Sequence, residues 1–112
     1  MTTVLYAEFV VKAGSESTVA QLVAGFTVLV RREPGNLVFT PYTREDNPRH
    51  YVIFEAYADA DAFSSHLAAD YGARFNRELA AHIEGAGSEL TMLVPFAAPE
   101  ARASGDRTGA TR

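Results

Sequence analysis

The apolar and polar positions of this chain follow two different periods, and segments of each kind alternate along the sequence. A period of two, in stretches rich in β-branched and aromatic residues, is typical of strands. It occurs in four segments, at 4–12, 37–43, 50–57 and 89–96. We therefore predict four strands.

A first helix is predicted between the first two strands. Apolar residues recur at spacings of three and four from Val19 to Val30, which places them in one stripe along a helix. Pro34-Gly35 follows this stripe and ends the helix, because the residue before a proline is disfavoured in the helical conformation.

A second helical region is predicted between the third and fourth strands. Apolar residues recur every four positions from Phe63 to Ile83, and Asp59 is placed to cap the first turn. Asp70-Tyr71-Gly72 predicts a kink or break within the region. Beyond residue 97 the chain is rich in Ala, Gly, Ser, Thr and Arg. We expect one domain, 1–97, followed by a disordered tail, 98–112.

The order β-α-β-β-α-β predicts an α+β, ferredoxin-like fold, in which an antiparallel sheet carries both helices on one face. The first and third strands are apolar on both faces, so the second face of the sheet needs a cover as well. Another copy of the chain is the economical cover, which predicts a homodimer joined through the sheet faces. In the third strand we expect Phe54 to point to the cavity, and either the outward face or its partner face to meet the second subunit. That outward face consists of Tyr51, Ile53, Glu55 and Tyr57.

Composition narrows the function classes. The chain has 112 residues, a formal charge of −4 and no cysteine, which excludes disulfides, a thiolate nucleophile and cysteine-based metal sites. The basic residues form no stripe, so we expect no nucleic-acid partner. We find neither an apolar run of membrane-span length nor a signal-peptide pattern, and we expect a cytoplasmic protein without a membrane partner.

Several common site motifs are missing from the sequence. Its three histidines, His50, His66 and His82, are sixteen residues apart and lack the spacing of metal ligands. Phosphate-binding loops, dinucleotide-binding glycine motifs and the serine-hydrolase elbow are absent too. We therefore predict no metal site.

His66 is the strongest candidate for chemistry. It lies one turn after Phe63 on a predicted helix, where an imidazole is able to accept a phenolic or enolic proton near neutral pH. The alternative is a helix histidine that only supports structure. His50 fits a strand-end surface position, and His82 fits a solvated helix position.

A set of apolar side chains is expected either to line a cavity between sheet and helices or to fill the core. Asn76 and Arg74 are the nearby polar groups able to orient a bound oxygen atom. Tyr71 belongs to the same group of residues. The apolar set comprises Phe9, Phe39, Phe54, Phe63, Phe75 and Met92.

Two glutamates, Glu8 and Glu55, stand among apolar strand residues, where a carboxylate needs a partner. We interpret both as structural, with Arg31, Arg32 or Lys12 as candidate partners, either within the chain or across the dimer.

Four short segments together resemble the antibiotic biosynthesis monooxygenase (ABM) domain, and the similarity extends over about residues 3–96. They are Glu33-Pro34-Gly35-Asn36-Leu37, Tyr51-Val52-Ile53-Phe54-Glu55-Ala56-Tyr57, Ala62-Phe63 and His66-Leu67. The first two are most similar to the branch of quinol monooxygenases and the autoinducer-2 phosphate isomerase.

The resemblance implies a dimeric α+β barrel with a cleft between helices and sheet in each subunit. It also implies oxygenation of a small phenol or quinol by dioxygen without a metal, flavin or haem cofactor. In that chemistry His66 transfers a proton, Tyr71 serves as a hydroxyl donor, and Asn76 or Arg74 contacts the substrate.

The departures from the family pattern keep other functions open. Haem-degrading members use an Asn–Trp–His set, and Phe9, His66 and Asn76 stand at those positions here, which disfavours haem degradation. The second histidine of the isomerase and quinol branches is replaced in the run Ala69-Asp70-Tyr71-Gly72. The alternatives are an isomerase or tautomerase of a small carbonyl substrate and a non-catalytic dimeric module that binds a small ligand.

Overall fold

A computed structural model describes residues 1–96 of the chain, so the predicted tail at 98–112 lies outside the described residues. Within this part, no helix is long and apolar enough to cross a membrane. The described residues form four strands and three helices: β1 (Thr3–Val10), α1 (Glu16–Arg31), β2 (Asn36–Arg44), β3 (Asn47–Tyr57), α2 (Ala60–Ala68), α3 (Asp70–Ala80) and β4 (Glu89–Leu93).

The predicted α+β, ferredoxin-like fold is confirmed. The strands form one antiparallel sheet in the order β2-β3-β1-β4. The helices cover one face of this sheet, with α1 over β2 and α2 over β3. The core lies between these layers.

The helix boundaries follow local chemistry. Asp59 is extended, and its side chain accepts a hydrogen bond of 2.8 Å from the Ala62 backbone N–H, which confirms the predicted cap of α2. Ala69 is extended as well and separates α2 from α3, immediately before the predicted break at Asp70-Tyr71-Gly72. The four-residue spacing of apolar residues thus continues across two helices.

The sheet register determines which side chains face the helices. In β1, Leu5, Ala7 and Phe9 are buried under the helical layer. Glu55 lies opposite Leu5 in β3, and Ile53 lies opposite Ala7, so both point to the same interior. Tyr57 shares this face of β3 and is fully buried.

The expected orientation of β3 is therefore wrong. Phe54 pairs with Tyr6 on one side and Thr40 on the other, on the face away from the helices, and is 36% exposed. Of the two faces considered for the contact with a second subunit, the one that carries Ile53 and Glu55 lies against the core. The sequence did not separate the two orientations because both faces of β3 are apolar.

Gly35 allows the turn before β2 to approach α2 closely. Its carbonyl accepts a hydrogen bond of 2.9 Å from the Ala58 N–H. A Cβ atom at Gly35 would overlap the Cβ of Ala62 and lie 3.4 Å from its Cα. This contact fixes the distance between the Glu33 end of the turn and the helix that carries His66.

We expect Gly35→Ala to destabilise the protein by about 1–3 kcal/mol, because the new methyl group overpacks the contact with Ala62. Gly25→Ala is the matched control, since a Cβ atom there meets no neighbouring element within 4 Å. Alanine at this position of α1 should stabilise the helix by about 0.5–1 kcal/mol. Urea unfolding of the two variants measures both effects, and a Gly35→Ala protein as stable as wild type would contradict the close contact.

Candidate functional site

A cavity of about 360 Å³ lies between the helices and the inner face of the sheet. This volume falls in the lower part of the range for small-molecule sites. Four polar side chains interrupt its apolar wall: Glu55, His66, Asn76 and Ser88. The rest of the wall includes five phenylalanines, Phe9, Phe26, Phe39, Phe63 and Phe75.

His66 on α2 is held by a carboxylate. Its Nδ1 lies 3.0 Å from Oε2 and 3.2 Å from Oε1 of Glu33, and its side chain is 10% exposed. Because an ionised carboxylate only accepts hydrogen bonds, this contact assigns the Nδ1 position a proton. In the neutral ring Nε2 then keeps its lone pair, as in the histidine of a catalytic triad.

Glu33 stands in the turn between α1 and β2 and is not among the cavity-lining residues. Its Oε2 also accepts a hydrogen bond from the hydroxyl of Tyr71 on α3. Burial raises the pKa of Tyr71, and its bond to the charged Glu33 raises it further. Tyr71 therefore stays protonated and donates a hydrogen bond to Glu33 across the physiological pH range, and the two together orient the His66 ring.

A second carboxyl group approaches His66 from the sheet. Oε1 of Glu55 lies 3.8 Å from His66 Nε2 and accepts a hydrogen bond of 2.8 Å from the Tyr57 hydroxyl. Burial raises the pKa of Glu55 and the charge of Glu33 adds to this, while Tyr57 and His66 oppose it. The pKa of Tyr57 is raised too, first by burial and then by Glu55. The Tyr57 hydroxyl therefore stays protonated and bound to Glu55.

Aromatic rings confine the imidazole. The Tyr57 ring lies 5.0 Å from the His66 ring, and the Phe63 ring is nearly parallel to it at 6.2 Å. Phe26 and Phe75 stack at 4.1 Å with an interplanar angle of 5° and form part of the same wall. Aromatic contacts at such distances favour fixed ring orientations.

The structure brings several of the predicted site residues together. His66 and Asn76 border the cavity, with Asn76 at its exposed rim on α3. Four of the predicted aromatic residues border it as well: Phe9, Phe39, Phe63 and Phe75.

Four other predicted site residues lie elsewhere. Phe54 faces away from the cavity because of the sheet register. Met92 is on the edge strand β4, outside the cavity wall, and is half-exposed. Arg74 borders a separate groove between α1 and α3, and Tyr71 borders that groove while its hydroxyl contacts Glu33. Helical and strand spacing alone did not fix these directions.

Within the described chain, the two strand glutamates pair with residues other than Arg31, Arg32 and Lys12. Glu8 pairs with His50 at 2.9 Å on the face of the sheet away from the helices, and Glu55 pairs with Tyr57. His50 is two residues from the position opposite Glu8, a diagonal neighbour within reach of long side chains. The Nε of Arg31 donates instead to the Phe39 carbonyl at 3.0 Å.

Sequence reasoning missed three contributors to the site. Glu33 was noticed only as part of a turn, 33 residues from His66 and 38 from Tyr71 in the chain. Phe26 was assigned only to the stripe of α1, and Tyr57 to the outer face. One feature of the sequence indicated a role for Glu33 in the site. It stands directly before Pro34-Gly35, within a segment that resembles a known family.

No group of three or more His, Cys, Asp or Glu side chains in residues 1–96 has a geometry that holds a metal ion. The donors around His66 bind one another instead. Proton transfer next to an apolar, aromatic chamber is the chemistry that this arrangement supports.

Solved structures of several proteins share this fold. A crystal structure of an antibiotic biosynthesis monooxygenase has a TM-score of 0.79 and 22% identity, covering 87% of this chain and 100% of the other. The protein Rv0793 of Mycobacterium tuberculosis has a TM-score of 0.79 and 18% identity, covering 88% and 99%. The protein SO0527 of Shewanella oneidensis has a TM-score of 0.72 and 25% identity, covering 82% and 90%.

Among curated proteins, no sequence matches this chain. The family model described as antibiotic biosynthesis monooxygenase matches residues 2–78, a span that includes Glu33, Glu55 and His66. The chain belongs to the antibiotic biosynthesis monooxygenase family.

Proposed function

We propose that this protein is a monooxygenase that oxidises a small aromatic phenol or quinol with dioxygen, as in the quinol monooxygenase branch of its family. The observation that carries this proposal is the position and hydrogen bonding of the His66 ring. Its ring lies on the wall of an aromatic cavity, Glu33 holds its Nδ1, and its Nε2 remains available to a ligand.

The first step is proton removal. A phenolic hydroxyl placed against Nε2 gives its proton to His66, and the Glu33 carboxylate stabilises the imidazolium that forms. The half-buried site strengthens this stabilisation because little water screens the Glu33 charge. The resulting anion is more electron-rich than the protonated substrate, which favours electron transfer to dioxygen.

The oxygen chemistry balances with the substrate as the only reductant. A quinol and dioxygen give a hydroxylated quinone and water. One oxygen atom forms the new carbon–oxygen bond, the other leaves as water, and the substrate supplies the four electrons. No further cofactor is therefore required by this stoichiometry.

Proton transfer between His66 and Glu55 would also serve an isomerase of a small carbonyl compound, which is the second candidate. A phosphorylated substrate fits poorly, because no lysine or arginine is among the described residues that line the cavity. Arg74 faces the separate groove, and Arg49 donates to the Val11 carbonyl. An open cavity beside a held histidine favours an enzyme over a module that only binds.

Replacement of His66, the proposed base, should remove most of the activity. We expect His66→Ala to lower the rate of oxygen uptake on an anaerobically prepared quinol or anthrone by about 10²–10⁴-fold, the usual share of a general base. Glu33→Gln should give an intermediate loss, because the amide still bonds to the ring but carries no charge. An oxygen electrode measures both rates.

His82→Ala is the control for this experiment, since His82 bonds to Ser15 Oγ at 3.0 Å and is not among the cavity-lining residues. It should keep wild-type activity. Absence of oxygen uptake by the folded wild-type protein on any such substrate would overturn the monooxygenase proposal. Full activity of His66→Ala would overturn the role of His66.

Glu55 should make the stability of the protein depend on pH. Its pKa is raised on folding, chiefly by burial, so its contribution to stability is present at low pH and is lost as the pH rises through the folded-state pKa. Glutamine cannot ionise, so we expect Glu55→Gln to melt at a higher temperature than wild type at pH 7–8. The difference should shrink as the pH falls towards 4.5, the ordinary value for this carboxyl.

Thermal melts across this pH range measure the effect. Glu45→Gln is the control, because Glu45 is exposed in the turn between β2 and β3. A constant difference between Glu55→Gln and wild type at every pH would contradict the raised pKa.

The working unit in this proposal is a homodimer whose two sheets pack face to face. The large side chains on the face away from the helices are half-buried or exposed, among them Tyr6, Tyr42 and Phe54. These residues form neighbouring rows across three strands. These aromatic residues lie beside the Glu8–His50 pair, and an exposed apolar cluster with polar neighbours is typical of an interface.

A charge placed in this surface should separate the dimer. We expect wild type to elute as a dimer in size-exclusion chromatography with light scattering, and Phe54→Arg to elute as a monomer, because the charge of the arginine would be desolvated inside the interface. Val28→Arg is the control, since Val28 is 50% exposed on α1. A monomeric wild type, or a dimeric Phe54→Arg, would contradict this interface.

A further inference from the structure

Two hydrogen-bonding positions lie side by side in the cavity wall. His66 Nε2 has no partner within hydrogen-bond distance among residues 1–96, and its nearest carboxyl atom is Glu55 Oε1 at 3.8 Å. Oε1 already accepts from Tyr57, whereas Oε2 of Glu55 receives no hydrogen bond in this part of the chain. The Glu55 side chain is only 7% exposed. Buried carboxyl oxygens are normally bonded, so both positions are suited to a hydroxyl group bound in the cavity.

The two positions lie close together, because Glu55 Oε2 belongs to the carboxyl group whose Oε1 lies 3.8 Å from His66 Nε2. Hydroxyl groups on neighbouring carbons of one aromatic ring lie side by side and are able to reach both positions from one edge of the ring. Hydroxyl groups on distant rings are too far apart to do so.

The charges around the cavity limit the ligand further. Two carboxyl groups, Glu33 and Glu55, lie next to His66, and the lining residues of the described chain include no lysine or arginine. An anionic group on the ligand would be desolvated without a cationic partner, and like charges at close range disfavour binding. The aromatic wall favours a flat, apolar ring system in the remaining space.

We propose that the cavity takes an uncharged catechol-type substrate, with one hydroxyl bound to His66 Nε2 and the neighbouring hydroxyl donating to Glu55 Oε2. Glu55 is then the residue that selects the oxygen pattern, while His66 removes the proton. This assignment specifies the substrate class of the proposed oxygenation. Only the identity of the hydroxyl that reacts depends on the proposed function.

Binding without turnover tests the oxygen pattern. Isothermal titration calorimetry under anaerobic conditions compares 2,3-dihydroxynaphthalene with 2-naphthol and 2,7-dihydroxynaphthalene on the full chain. We expect the 2,3-isomer to bind about tenfold more tightly than either, the effect of one additional buried hydrogen bond. The 6-sulfonate of the 2,3-isomer should bind at least about tenfold more weakly than its parent, because its charge finds no partner.

Two variants test whether Glu55 causes the preference for the 2,3-isomer. In Glu55→Leu/Tyr57→Phe both partners of the buried hydrogen bond are removed together, which limits the loss of stability. This variant should bind the 2,3-isomer and 2-naphthol with equal affinity. Glu55→Gln should keep the preference within a few fold, because its amide NH2 donates to the ligand hydroxyl at the position where the carboxylate oxygen accepted from it. Thermal melts confirm that each variant is folded.

Equal affinity of wild type for the three uncharged ligands would overturn the proposal, and so would a preference that survives in the double variant. The wild-type series decides the question by itself if the double variant does not fold. Because the titrations need no oxygen, their failure leaves the monooxygenase proposal standing. Selective binding without oxygen uptake would instead overturn the proposed reaction and leave the ligand class in place.

Discussion

The carboxylate of Glu33 is the interaction on which the site depends. It bonds to His66 on α2 and to Tyr71 on α3, and it stands itself in the turn after α1. One side chain thus joins three segments that the fold brings together around the cavity. It also fixes which nitrogen of the imidazole carries the proton, because a carboxylate offers only acceptors.

The polar groups of the site are arranged in pairs inside an apolar surrounding. Tyr57 donates to Glu55 and Tyr71 donates to Glu33, and the pKa of each tyrosine is raised, first by burial. Both hydroxyls therefore remain donors, and neither competes with His66 as a base. A buried polar group is costly without a partner. Pairing accounts for how two carboxyl groups persist beside one histidine in a small core.

Much of the fold followed from the period of the apolar residues, because strands and helices differ in that period. The capping Asp59 and the end of α1 before Pro34-Gly35 also followed from local chemistry. Which face of β3 points to the helices did not follow from the sequence. Phe54 and Ile53 are both apolar, and only the packing of the helices distinguishes their faces. Glu33 also could not be assigned to the site from local patterns, because its partners His66 and Tyr71 lie more than thirty residues away in the chain.

The helix that carries His66 buries less of its surface than the other helices do. α2 spans only Ala60–Ala68, contains no fully buried residue and is disconnected from α3 by the extended Ala69. Segments with few buried contacts open at a lower free energy than the rest of a domain. Local opening of α2 therefore costs less free energy than opening of the sheet. Such an opening separates His66 from Glu33, so the orientation of the imidazole depends on the least buried helix of the domain.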